Sequence, residues 1–186
     1  MKQEALRERL LLENDLLTVD VAAVAKDLAA EQLAWAPPTG GWGIGQVLEH
    51  LVVVADSYYR VLRPLIYRAG TPVAPLGRNQ WDPTWMGSLL VSSLRSKRRM
   101  PAPKIWRVGP EPRAEVLRAF LEHQQILVQL MRAAAALDWN RVRFSSPANR
   151  LLRLNLGDGF TALVVHSQRH TLQMERVRQQ PLFPAT

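Results

Sequence analysis

The chain has 186 residues and 47% of them are hydrophobic, enough apolar material to bury one core. It contains no cysteine, which excludes disulfides, thiolate nucleophiles and iron–sulfur clusters, so any metal would rest on imidazole, carboxylate or water. The formal charge of +8 invites a nucleic-acid reading, but the arginines are scattered and only Arg95-Ser96-Lys97-Arg98-Arg99 is dense, a pattern better suited to a solvated basic surface.

No stretch reaches the roughly 20 apolar residues that a bilayer crossing needs. The first 14 residues interleave Lys2, Glu4, Arg7, Glu8, Arg9 and Glu13 with leucines, unlike the continuous apolar region of a signal peptide. A cytoplasmic protein with no membrane partner is expected.

A first helix is predicted over residues 3–31, on Leu6, Leu10, Leu17, Val21, Val24 and Leu28. The run Pro37-Pro38-Thr39-Gly40-Gly41 ends it, because proline lacks a donor and restricts its predecessor. A second spans residues 44–68 on Val47, Leu51, Val54, Tyr58 and Leu62, with a kink or early stop expected at Pro64. Residues 70–110 are rich in proline and glycine. A bare loop of that length is unusual, so a short helix is expected within 84–97.

A third helix is predicted over residues 111–137 on Val116, Phe120, Leu127 and Leu130, with Pro112 in its first turn. Residues 138–156 read as an irregular link. A fourth helix covers residues 158–180 on Leu163, Met174 and Val177, closed by Pro181. The expected fold is an all-α four-helix bundle forming a single domain over 1–186. The short first link makes helices one and two antiparallel neighbours, and the long crossover between helices two and three lets these run parallel.

Four histidines are present: His50, His123, His166 and His170. His166 and His170 are one helical turn apart and share the row Leu163, His166, His170, Met174, Val177, so both rings face the core. His50 lies in the stripe of the second helix, between Val47 and Val54. An unsatisfied buried polar group costs about 1–3 kcal/mol, and three inward imidazoles meet that need most simply by sharing a cation. Spacing alone leaves a metal and a hydrogen-bonded core equally open. His123, between Phe120 and Leu127, reads as a fourth ligand, a partner behind the ligands or an interior residue, the last two preferred.

Two segments carry a resemblance. Trp35-Ala36-Pro37-Pro38-Thr39-Gly40-Gly41-Trp42-Gly43-Ile44-Gly45-Gln46-Val47-Leu48-Glu49-His50-Leu51 and His166-Ser167-Gln168-Arg169-His170-Thr171-Leu172-Gln173 resemble the DinB/YfiT-like superfamily of metalloenzymes, and Met100-Pro101-Ala102-Pro103-Lys104 is similar to the proline-bearing crossover of that family. The resemblance implies a four-helix bundle with metal ligands at His50, His166 and His170. It departs from the family at Gly43, where Ser or Thr often supplies a capping hydroxyl.

Three imidazoles would leave a divalent ion (zinc, nickel or iron) with open positions, the arrangement of a catalytic site. The family implies hydrolase chemistry or transfer of a low-molecular-weight thiol onto an electrophile, with a small-molecule substrate. The competing readings are a non-enzymatic stress-response protein with a structural or sensory metal, and a basic nucleic-acid-binding protein. Glu49, Asp56, Gln173 and backbone carbonyls are candidates to hold the outer ring nitrogens. Glu122 and Asp56 read as solvated charges rather than general bases. Tyr58 and Tyr59 line a pocket mouth or pack in the core. Members of the family it resembles often pair as dimers, which leaves a homodimer or a monomer open, with Trp81 and Trp85 either at such an interface or packed over the bundle.

Overall fold

The structure is a computed structural model that describes residues 1–68, 70–74, 80–96 and 101–185. Lys97, Arg98 and Arg99 of the basic run, and Met100 of the crossover segment, lie outside these. The described part is mostly helical and matches a four-helix bundle fold.

Helix α1 (Gln3–Ala25) buries the predicted stripe from Leu6 to Val24. It is shorter than expected. The chain turns at Lys26, whose N–H closes on the Ala22 carbonyl, and a short α2 (Ala30–Ala34) follows. Gln32 explains the break: its side chain accepts from the Ala29 N–H at 2.9 Å and donates to the Pro184 carbonyl, capping a new helix instead of extending the old one. Helix α3 (Ile44–Tyr67) runs through Pro64 without stopping there. Proline in the last turn forfeits a backbone bond where few remain to lose.

Helix α4 (Trp85–Arg95) is the expected element of the crossover, and Thr84 caps it by accepting from the Gly87 N–H at 2.9 Å. A 3-10 turn follows at Lys104–Trp106. Helix α5 (Val116–Ala133) begins five residues later than predicted, with Pro112 outside it. The reason is Arg113, whose guanidinium and backbone N–H are all drawn to the Glu49 carboxylate on α3, so that residues 111–115 form a strap instead of a helical turn.

The all-α expectation is corrected at residues 138–156. There β1 (Arg143–Ser146) and β2 (Asn149–Asn155) form an antiparallel two-stranded sheet, paired from Arg143↔Asn155 to Ser146↔Asn149 around the turn at Pro147 and Ala148. Inward Phe144 and Ser146 alternate with outward Arg143 and Ser145, the period of a half-buried strand.

Helix α6 (Leu156–Arg178) begins where β2 ends. Asn155 caps it reciprocally: its side chain accepts from the Asp158 N–H at 2.9 Å, and Asp158 accepts from the Asn155 N–H at 3.1 Å. From Leu156 to Val165 every residue of α6 is buried, so it is the central helix, packed against α1, α3 and α4. One continuous core joins these helices with α5, the hairpin, Trp81 and Trp139. Trp81 is packed over the bundle, donating to Asn155 Oδ1 at 3.0 Å, whereas Trp85 is exposed. No helix among the described residues is long and apolar enough to cross a membrane.

Candidate metal centre

Helical geometry delivers the three predicted histidines to one point. His50 enters from α3, two turns past its start, and His166 and His170 enter from α6. One nitrogen of each ring lies within 4.8 Å of the others, and the ring centroids are 4.5–5.1 Å apart. His50 and His170 are buried and His166 is partly so.

The outer nitrogens fix the tautomers. His50 Nδ1 faces the Trp106 carbonyl at 2.8 Å, and His170 Nδ1 faces Gln173 Oε1 at 2.9 Å. A carbonyl oxygen only accepts, so each Nδ1 carries the hydrogen and each Nε2 keeps its lone pair for the centre of the cluster. His50 Nε2 and His166 Nε2 stand 3.3 Å apart. Two ligands on a tetrahedral zinc at 2.0–2.1 Å would be separated by about 3.3 Å. The nitrogen donors, and the spacing of the His50–His166 pair, therefore fit a divalent ion.

Electrostatics point the same way. Burial, then the neighbouring His170, His50 and Arg169, hold His166 well below the usual imidazole range. Burial pushes His170 down to about 3, with His50 and Arg169 adding to the effect against the Gln173 hydrogen bond. Burial also lowers His50, against the Trp106 carbonyl. Neutral imidazoles are what a metal requires. For the metal-free chain the sign follows from linkage. The unfolded histidines protonate near 6.5 while the folded ones resist, so acid favours the unfolded state. Stability of the metal-free chain is expected to be fully present above pH 6.5 and to fall progressively as pH drops toward about 3, measured by denaturant titration along a pH series.

The surroundings sort the other candidates. Of the candidates, Gln173 holds the His170 ring, and a backbone carbonyl, Trp106 O, holds the His50 ring. Glu49 does not serve the histidines, because it is committed to Arg113 at 2.7 and 2.8 Å. Asp56 pairs with Arg60 and Glu122 with Arg118, both on exposed positions. His123 stands apart from the cluster on α5, stacked on Tyr59 at 5.6 Å, with its Nδ1 on the Ala119 carbonyl. Tyr59 is a core residue whose hydroxyl donates to the His123 carbonyl.

Sequence reasoning left out three contributors. The Trp42 ring lies 4.7 Å from His50 and covers the cluster. Trp106 supplies the carbonyl for His50 and donates its indole N–H to Ser57 Oγ. Arg169, between the two histidines of α6, donates to the Leu94 and Ser96 carbonyls and so ties the end of α4 to α6. Arg169 had a signal, since it falls inside the two-histidine segment. Trp106 had none, because a carbonyl can come from any residue type.

A cavity of about 360 Å³ adjoins the cluster, with His166 on its wall. Val54 and Tyr58 of α3, Leu90 of α4, Trp106 and Leu163 form much of the remainder.

The family model of the DinB superfamily matches residues 15–174. Among solved structures the fold is similar to YfiT from Bacillus subtilis, described as "a probable metal-dependent hydrolase with an unusual four-helix bundle topology". The TM-score is 0.61 with 16% sequence identity, covering 96% of this chain and 89% of that one. A search of curated proteins finds no match.

Proposed function

The chain belongs to the DinB superfamily, and from that premise we propose that it is a metal-dependent enzyme whose divalent ion is held by His50, His166 and His170. The observation that carries this reading is the convergence of three neutral imidazoles, two with their Nδ1–H fixed by carbonyls and their Nε2 lone pairs left free. Zinc, nickel and iron all suit such a nitrogen set. The long crossover fits the same reading. The contacts Glu49–Arg113 and Tyr59–His123 share one offset of 64 residues, which supports α3 and α5 running side by side in the same direction.

When bound, the ion supplies Lewis acidity, which makes a water or thiol a better nucleophile at neutral pH or polarises a substrate oxygen. The rest is done by the chain. Gln173 and the Trp106 carbonyl orient two ligand rings, Trp42 covers one side of the cluster, and the cavity beside His166 gives a substrate its approach. The reading put first is hydrolysis, the chemistry named in the description of YfiT. Transfer of a small thiol onto an electrophile is the other chemistry this donor set would serve.

Gln173→Ala tests the support of the ligands. It is expected to weaken metal affinity by about 10–100-fold with little change in Tm of the metal-free protein, measured by competition with a chromogenic chelator. Metal removal separates enzyme from structural site. The core is continuous without the ion, so the chelated protein is expected to keep its helical circular dichroism and a cooperative melt. Unfolding on chelation would assign the metal a structural role.

A further inference from the structure

We propose that the cavity beside His166 binds an uncharged, mainly apolar molecule carrying one hydrogen-bonding oxygen, anchored by the Tyr58 and Ser146 hydroxyls. This assigns a substrate class to the proposed metal centre and rests on that reading for the chemistry, though the selectivity of the cavity does not depend on the ion.

The first observation is charge. The protein carries 24 Lys and Arg and 16 Asp and Glu, yet among the described residues none of these lines the cavity. The walls are mostly Val54, Leu90, Leu94, Leu152, Leu163 and the Trp106 ring, with Pro103, Asn149 and two alanines between them. Besides the Tyr58 phenol, the titratable side chain on the described lining is His166, one of the proposed ligands. An ionised ligand would shed its hydration here without a counter-charge from the described lining, at a cost far above that of an unpaired neutral polar group. The volume of about 360 Å³ lies at the lower end of the range for small-molecule sites.

The second observation is a buried pair of hydroxyls, whereas the other polar side chain of the described lining besides His166, Asn149, sits at an exposed position of the hairpin. Tyr58 and Ser146 are 4% and 2% exposed, and their oxygens are 3.4 Å apart. That is long for a hydroxyl pair, and it leaves each oxygen with capacity for a further partner. Burial keeps the Tyr58 proton in place by raising its pKa. A carbonyl, ester or hydroxyl oxygen placed between the two would satisfy both. The Tyr58 ring is itself held 6.0 Å from Trp106, whose carbonyl orients His50, so the anchor and the metal ligands belong to one rigid wall.

The test uses the full chain, chelated and zinc-loaded, titrated calorimetrically with 2-naphthol and with its charged counterpart 2-naphthoate. Naphthol is expected to bind both forms, and naphthoate to bind the chelated form at least about ten-fold more weakly. Ala148→Trp, at the hairpin turn, fills the cavity and should weaken naphthol at least about ten-fold. Leu151→Trp, on an 80% exposed position of the same hairpin, should leave it unchanged. Tyr58→Phe should weaken naphthol several-fold and leave naphthalene unaffected, a split that a purely structural tyrosine would not produce. Equal affinity of the chelated protein for naphthol and naphthoate, or an unaltered Ala148→Trp with native circular dichroism, overturns the assignment. If the chain takes up no metal but the chelated pattern holds, the cavity stands and the metal centre falls. If naphthol binds only the zinc-loaded form, the cavity assignment falls and the metal centre stands.

Discussion

Replacing His170 with alanine is expected to abolish stoichiometric metal binding, lowering affinity by at least about 100-fold. Loss of a residue behind the ligands costs about 10–100-fold, and losing a ligand outright exceeds that because the ion forfeits a bond rather than its orientation. His166→Ala and His50→Ala should do the same, and His123→Ala, which stands outside the cluster on α5, should bind like the parent. Folding should survive in each case. The buried imidazoles are already neutral, so removing one leaves no orphaned charge. Chelator competition gives the affinity and circular dichroism the fold. Undiminished metal binding by any of the three variants would remove that residue from the ligand set.

The second large effect lies at Gly43, before the helix that carries His50. The family resemblance points to a serine or threonine there, and the missing hydroxyl reads as a weak cap. The structure gives another reason for glycine. A Cβ at Gly43 would fall against the Trp35 carbonyl oxygen, far inside van der Waals contact, with the backbone of Ala36 also close. The other half of a capping box is in place, since Gln46 Oε1 accepts from the Gly43 N–H at 3.1 Å while Gln46 Nε2 donates to the Gly109 carbonyl. Gly43→Ser is therefore expected to destabilise by about 1–3 kcal/mol, the usual cost of forcing atoms into filled space, although serine is ordinarily a better cap than glycine. At about 2–4 °C per kcal/mol for a chain of this size, Tm should fall by roughly 2–12 °C. A rise in Tm would show that the turn at Trp35 yields and that the hydroxyl caps as the family pattern suggests. The change also shifts Trp42, so a drop in metal affinity should accompany it.

The two-histidine helix α6 was the most legible part of the sequence, and the reason is geometric. A spacing of four on a helix fixes both rings on one face, whatever surrounds them. The face was readable too, because Met174 and Val177 continue the row and both are buried. His50 needed more, since a single inward histidine has many uses and only its partner helix shows which one applies. The distant contributors left no local trace. Glu49 looked like a partner for the histidines until Arg113, 64 residues away, claimed it, and that same pair delayed the start of α5. The hairpin was hidden because Leu151-Leu152-Arg153-Leu154 reads as easily as helix, and its alternation emerges only when Phe144 and Leu154 pair across the sheet. The crossover histidine support from Trp106 depends on a carbonyl, which sequence cannot rank.

X-ray absorption on the zinc-loaded protein tests the central claim most directly. Three imidazole nitrogens at about 2.0–2.1 Å, recognised by multiple scattering from their rings, with an oxygen completing the shell and one equivalent of zinc per chain, are the predicted result. A shell with fewer than three imidazoles, or one unaltered when His50, His166 and His170 are all replaced, would contradict it.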